Sequence, residues 1–198
     1  MLGFKLNRKP NAEREGQRVT ARLKSRLMPI DRGEVYEDPL NAVMKAGDIG
    51  EVMGGGTELD ENGEAAFCDV ELKLFDRTPE NLDRVVKAFE KLGAPKGSKL
   101  LLEGSVHEVE FGVNEGFALY LDGFGLADDV YETCDLDTIV EELNRALEGK
   151  GRYHGFWQGD RETAVYFYGP SFDAMKSAAS PFVSRYPLCQ NARIERIA

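Results

Sequence analysis

The chain has 198 residues, of which 42% are hydrophobic and 30% charged, and its net charge is −10. This balance is typical of a folded globular protein, and no apolar run approaches the roughly 18 residues that a membrane span requires. The basic N-terminal segment lacks the apolar core of a secretory signal, and the three cysteines form no CxxC pair. We therefore expect a cytoplasmic protein with free thiols and no membrane contact.

Charge is divided unevenly along the chain. Nine of the 25 Lys and Arg residues but only three of the 35 Asp and Glu residues lie in positions 1–32, which leaves 16 basic and 32 acidic residues in positions 33–198. A body of this sign repels phosphate groups, so we expect no nucleic acid to bind it. Residues 1–18 are interpreted as a basic arm that either contacts an anion or folds back onto the acidic body.

The first half of the chain has the pattern of four strands and two helices. A strand ended or placed at an edge by Pro29 comes first, and a short helix after Asp38 follows. The Asn62-Gly63 turn joins the next two strands, and Thr78 caps the clearest helix. The predicted segments are 19–30, 37–47, 48–60, 65–76, 78–93 and 98–104.

The second half repeats the order of the first. Its helices are predicted to begin after Asp135 or Asp137 and after Ser171. The segments are 115–123, 134–149, 151–160, 162–169, 170–187 and 191–198. Both halves thus have the order β-α-β-β-α-β, which predicts an α+β fold of tandem ferredoxin-like units, with antiparallel sheets and helices on one face. The predicted units are 19–104 and 112–198.

The most acidic stretch runs from Asp122 to Glu142, with eight carboxylates and no Lys, Arg or His. Part of it fits the start of a helix, where free backbone N–H groups favour carboxylates. The rest is typical either of a solvated loop or of a docking surface for a basic partner. On the second interpretation the partner-binding residues are Asp128, Asp129, Glu132 and Asp135. The spacing matches no EF-hand loop, so we expect no metal.

Motifs of nucleophilic, zinc or phosphate chemistry are not found. The tract Gly54–Gly56 precedes a hairpin turn and lacks the lysine of a P-loop, so it favours a bulge, a bend or the close approach of two backbones. His107 and His154 belong to no recognisable nucleophile or zinc motif. We therefore predict no catalytic residue, no metal ligand and no cofactor.

The hairpin from Tyr153 to Tyr168 is the most chemically varied stretch. In a ferredoxin-like unit the sheet face opposite the helices is open unless something covers it. Aromatic residues there form either a ligand platform or an interface, within the chain or with a second copy. A ligand site in the cleft between the units would use Tyr153, His154, Trp157, Asp160, Arg161, Tyr166 and Tyr168, and it assumes that Tyr153 and Trp157 share a face.

Two functions follow from these patterns. The favoured hypothesis is an acidic, non-catalytic interaction protein of the bacterial cytoplasm, of an inhibitor or immunity type, that binds a basic protein partner. The alternative is a small-ligand-binding protein or an enzyme, with its site in the cleft between the two units. Formation of a homo-oligomer is compatible with both.

Overall fold

The computed structural model describes residues 14–198. The strands are β1 (Gln17–Leu23), β2 (Gly50–Leu59), β3 (Ala65–Leu74), β4 (Ser98–Leu102), β5 (Glu108–Phe111), β6 (Glu115–Asp122), β7 (Arg152–Gln158), β8 (Glu162–Gly169) and β9 (Arg193–Arg196). The helices are α1 (Pro29–Arg32), α2 (Asp38–Ala46), α3 (Pro79–Lys91), α4 (Asp128–Thr133), α5 (Leu136–Ala146) and α6 (Phe172–Val183). A π-helical turn (Gly33–Glu37) joins α1 to α2, and a 3-10 turn (Pro187–Cys189) precedes β9.

The strands form two antiparallel sheets. The first has the order β2-β3-β1-β4-β5 and the second the order β7-β8-β6-β9. In both sheets the third strand of the unit lies between the first and the second strands, and the fourth strand lies on the other side of the first. This is the strand order of a β-α-β-β-α-β unit. The predicted α+β fold of tandem ferredoxin-like units is therefore confirmed.

Each unit has its own apolar core between its sheet and its helices. In the first, alternate residues of β3 point inward, from Cys68 to Leu74, and meet Val85 and Phe89 of α3. In the second, Phe117 and Leu119 of β6 and Phe167 of β8 pack against α5 and α6. The alternation of apolar residues along strands and their recurrence along helices produce these faces. Among residues 14–198 no helix has the length and hydropathy to cross a membrane.

The prediction around Pro29 was wrong. The strand ends at Leu23 and lies in the middle of its sheet, while Pro29 is the first residue of a helical segment, a position where its missing N–H costs nothing. Farther along this segment the backbone N–H of Asp38 bonds to the carbonyl of Gly33, five residues back. Pro39 follows at once and has no N–H to donate, so the π-turn adjusts the hydrogen-bond register before α2 continues.

Two further elements were not predicted. β5 lies between the predicted units and extends the first sheet by pairing with β4. α4 lies in the acidic stretch, where a loop was one interpretation. At the N-terminus, Gln17 and Arg18 of the proposed arm belong to β1, and residues 1–13 lie outside the described part of the chain.

The units meet through different surfaces. The face of the second sheet opposite α5 and α6 is buried, with Tyr120, Tyr166 and Tyr168 at its centre. It is covered by the β1–α1 loop and the β2–β3 turn of the first unit, where the Arg26 N–H donates to the Tyr168 hydroxyl at 2.9 Å. We refer to this contact as the seam. The open face of the first sheet carries charged pairs such as Arg22 with Asp69 instead.

Candidate functional site

A groove of about 770 Å³ opens at one end of the seam. The first unit contributes the β2–β3 turn, with Glu61 and Asn62. The second unit contributes the β7–β8 turn and the ends of β6 and β9. Three of the seven residues predicted for a cleft site line this groove, namely Trp157, Asp160 and Arg161.

The β7–β8 turn holds Trp157 in the groove wall. Trp157 pairs with Ala164 of β8 and packs at the edge of the tyrosine cluster of the second sheet. Its ring lies against Gly159, where a Cβ atom would approach the Trp157 ring carbons to 2.4 Å. No real Cβ comes this close, so the glycine is needed for the position of the indole.

A β-bulge separates the residues that were expected to share a face. Between Tyr153 and Gly155 the pairing with β8 shifts by one residue, and such a shift moves the following side chains to the other face. Tyr153 therefore points toward the helices and packs on Phe167, with ring centroids 5.5 Å apart. The assumption that Tyr153 and Trp157 share a face was wrong, and Tyr153 takes no part in the groove.

Gly155 allows this bulge to lie against the first unit. Its φ is +146°, and a Cβ atom there would be 3.1 Å from a carboxylate oxygen of Asp31. A side chain would be strained in this backbone conformation and crowded against Asp31. The glycine therefore serves both the bulge and the close approach of the two units.

The carboxylate of Glu64 connects the groove to the seam. One of its oxygens accepts hydrogen bonds from the hydroxyls of Tyr120 and Tyr166, both at 2.7 Å, and from the Arg26 guanidinium. Burial, together with the bond to this carboxylate, raises the pKa of both tyrosines, so both stay protonated and donate. Tyr166 is thus a residue of the seam below the groove. The sequence showed Glu64 only as part of a turn, so its role was missed.

His154 and Tyr168 lie deeper in the seam. The His154 side chain is 5% exposed, and burial followed by the nearby Arg152 lowers its pKa to about 4. Its ring lies tilted against Tyr168 and edge-on to Tyr36, with ring centroids 4.8 Å and 6.1 Å away, and its Nδ1 has no hydrogen-bond partner among residues 14–198. Burial raises the pKa of Tyr168 to about 12. Both predicted residues therefore belong to a neutral interface between the units.

The two arginines of the groove are already engaged. Arg193 forms an ion pair with Glu162 at 2.7 Å and another with Glu195, and its guanidinium lies 3.8 Å from the Tyr120 ring centroid. Arg161 lies 4.2 Å from the centroid of the Phe124 ring. These contacts place both guanidinium groups on aromatic faces along the groove wall.

The carboxylates of the groove differ in their partners. Asp122 accepts from the backbone N–H groups of Phe124 and Gly125 and from Asn191. These bonds, with the Gly125 contact first, lower its pKa and keep it ionised. Within residues 14–198, Glu61 and Asp160 take part in no ion pair.

The four predicted partner-binding carboxylates lie on α4 and at the start of α5. Asp128, Asp129 and Glu132 are exposed on α4. Asp135 caps α5 by accepting from the Thr138 N–H at 2.6 Å, as predicted for one of two residues. A smaller depression of about 330 Å³ contains Asp135 and shares four lining residues with the groove, namely Asp122, Gln158, Gly159 and Asp160.

No metal-binding group forms in the part of the chain that is described, since no three His, Cys, Asp or Glu residues of 14–198 are placed to hold an ion. Two of the three cysteines are buried, and burial raises the pKa of the Cys68 and Cys189 thiols to about 12. These thiols are protonated at neutral pH and lack the thiolate that nucleophilic chemistry needs.

No family model and no curated protein matches the chain. Similar solved structures include an unknown protein from Galdieria sulphuraria, 15% identical over 92% of this chain and 98% of that one, with a TM-score of 0.29. Another is the regulatory subunit of aspartate kinase from Thermus thermophilus, with 11% identity, coverage of 83% and 92% and a TM-score of 0.26. The first two RRM domains of a yeast poly(U) binding protein have 14% identity, coverage of 91% and 99% and a TM-score of 0.24. The fold is defined by the strand order of the two sheets.

Proposed function

We propose that this protein is a non-catalytic interaction protein, of an inhibitor or immunity type, that binds a basic protein partner. The proposed docking surface consists of Asp128, Asp129, Glu132 and Asp135, and we call it the acidic surface. Clustered charge of one sign attracts a partner of the opposite sign and accelerates association. The observation that carries the proposal is that this charge is uncompensated.

The two faces of the molecule differ in how their charges are paired. On the first sheet, Asp69 pairs with Arg22 at 2.9 Å and Glu108 with Lys99 at 2.6 Å. On α4, no ion pair to a residue of 14–198 involves Asp128, Asp129 or Glu132. These carboxylates repel one another, and a cation from outside the described chain would supply the counter-charge that residues 14–198 do not.

The test is the rate of association with a basic partner as a function of salt. A partner captured from extract of the source cells is mixed with the protein in a stopped-flow instrument between about 0.02 and 0.3 M salt. Exposed charges are screened over about 8 Å near 0.15 M ionic strength, so the on-rate should fall steeply. The triple variant Asp128→Asn/Asp129→Asn/Glu132→Gln should lose roughly tenfold in on-rate at low salt.

The matched control removes the same charge elsewhere. Glu34, Glu71 and Glu148 are exposed and lie outside the acidic surface, so their triple change to Gln should lower the on-rate much less. A flat salt dependence, or equal on-rates for the wild type and the acidic-surface variant, would contradict the proposal and leave α4 as a solvated helix.

The second candidate function is a ligand site in the cleft. It is supported by one observation, the groove lined by Trp157, Asp160 and Arg161 at the end of the seam. The chemistry of its free groups suggests which ligand it would take.

A further inference from the structure

The groove is lined mostly by acidic and aromatic side chains. Some of its charged groups are already paired within the chain, and others are not. Its positive groups are Arg193, which pairs with Glu162, and Arg161, which lies on the Phe124 ring and forms no ion pair with a residue of 14–198. Glu64 already accepts from two tyrosine hydroxyls and pairs with Arg26. Five carboxylates line the groove against these two arginines, so the groove carries a net negative charge.

The unpaired carboxylates of the groove come from both units. Glu61 comes from the first unit and Asp160 from the second, so the two carboxylates face the same space from opposite units. Both are exposed, and neither is neutralised by an ion pair among residues 14–198. Asp122 adds a third ionised carboxylate, held by backbone N–H groups. A cation that enters the groove would be attracted by these carboxylates.

Aromatic faces accompany these carboxylates. The Trp157 indole is partly exposed in the groove wall, and the Phe124 side chain is 59% exposed. Indole rings attract organic cations through the negative charge of the ring face, and planar guanidinium groups also stack on them. Inorganic cations gain less from such a wall because they prefer oxygen ligands.

From this arrangement we infer that the groove is a binding site for an organic cation, and specifically for the guanidinium group of an arginine side chain on the basic partner. The inference deepens the proposed function and rests on it. Arg193 is an example of this recognition within the chain, since its guanidinium contacts two carboxylates and the Tyr120 ring. Trp157, Asp160 and Glu61 bring the same three groups, an aromatic face and two carboxylates, to one groove, and neither carboxylate forms an ion pair among residues 14–198.

The test uses the one tryptophan of the protein. Because Trp157 lines the groove, its fluorescence and its indole N–H resonance report occupancy directly. The full-length protein is titrated with Nα-acetyl-arginine amide and, as a neutral molecule of the same shape, with Nα-acetyl-citrulline amide. We expect a saturable change with arginine and none with citrulline at equal concentration.

The variant Glu61→Gln/Asp160→Asn should weaken arginine binding at least tenfold. The control Glu34→Gln/Glu148→Gln removes the same charge at exposed sites outside the groove and should leave the titration unchanged. All four residues are exposed, so both variants should remain folded, which their unfolding curves will show. Equal weakening by both variants would mean general charge attraction and would overturn the inference.

A third arm separates the sources of the cation. Spermidine carries ammonium groups but no planar guanidinium, so it should bind more weakly than the arginine amide. Tighter binding of spermidine would mean that the groove binds a free polyamine. It would overturn the inference that the groove binds an arginine side chain of a protein. An unchanged Trp157 signal with every probe would overturn the site as a whole. The salt-dependent association of the acidic-surface variant tests the proposed function separately, so the two failures are distinguishable.

Discussion

The hydroxyl of Tyr166 donates a 2.7 Å hydrogen bond to the carboxylate of Glu64, which lies 102 residues earlier in the chain. Tyr120 makes the same contact from the neighbouring strand, and Arg26 supplies the positive charge. Glu64 belongs to the turn that forms one wall of the groove, and Tyr166 to the sheet that carries the other. This buried cluster therefore sets the distance between the two walls.

Replacing Glu64 with alanine should destabilise the protein by about 2–4 kcal/mol. The change leaves two tyrosine hydroxyls without their acceptor and Arg26 without its counter-charge, and removing one partner of a buried pair costs about 3–5 kcal/mol. We expect a loss smaller than this because the Arg26 side chain is 25% exposed, so water can partly solvate its charge. Urea unfolding measures the effect, and Glu61→Ala in the same turn serves as the exposed control. A loss below about 0.5 kcal/mol, the usual range for surface substitutions, would show that the cluster does not hold the seam.

Stability should depend on pH through His154. Its pKa of about 4 in the folded protein lies below the 6.5 of an unfolded histidine. Between these values the unfolded chain binds more protons, so stability is full above pH 6.5 and falls as the pH drops toward 4. The loss should be at most about 3 kcal/mol.

The variant His154→Phe isolates this contribution. The free energy of unfolding is measured from pH 7 to pH 4.5 for the wild type, for His154→Phe and for His107→Gln, in which the exposed second histidine is removed. The difference between wild type and His154→Phe should grow as the pH falls, whereas His107→Gln should follow the wild type. Parallel curves for all three would mean that His154 is not buried as a neutral ring.

Asparagine should replace Asp135 without loss of stability. The Asp135 side chain accepts from the backbone N–H of Thr138, and asparagine caps a helix about as well as aspartate. Alanine offers no acceptor, so Asp135→Ala should lower the urea midpoint while Asp135→Asn leaves it unchanged. If both variants lowered the midpoint equally, the carboxylate charge at the start of α5, and not the cap, would be the stabilising feature.

Residues 113–198 should fold as a β-α-β-β-α-β unit when expressed alone. Their core between the second sheet and its helices is complete without the first unit. The fragment should be less stable than the full chain, because separation exposes Tyr120, Tyr166 and Tyr168. Backbone NMR assignment of the fragment checks the strand order. A helical bundle, or a parallel sheet with helices on both faces, would contradict this prediction.

Local patterns predicted most of the elements because their signals lie within a few residues. Thr78 and Asp135 cap their helices as expected, and β3 alternates as its sequence indicates. The predictions were wrong where a proline or a β-bulge makes a local pattern compatible with more than one structure. Pro29 is compatible with the end of a strand and with the first turn of a helix, and only the packing of the following residues selects the helix.

The candidate site was predictable only in part. Trp157, Asp160 and Arg161 were found because they share one hairpin, and the same reasoning included Tyr153. The bulge at Gly155 places Tyr153 on the other face of the sheet. The alternation of side chains along a strand does not reveal where an extra residue is inserted. Glu61 and Glu64 were missed because nothing local shows that their turn meets a sheet 100 residues away.

The sequence by itself determined the two β-α-β-β-α-β units, their apolar cores and the excess of negative charge, since these depend on periodicity, capping and composition within short windows. Only the tertiary structure decided that the second sheet is covered by loops of the first unit, that Glu64 is buried among tyrosines, and that Glu61 and Asp160 face one groove. Such pairings join residues about 100 positions apart, and their selection depends on packing across the seam, which no local pattern encodes.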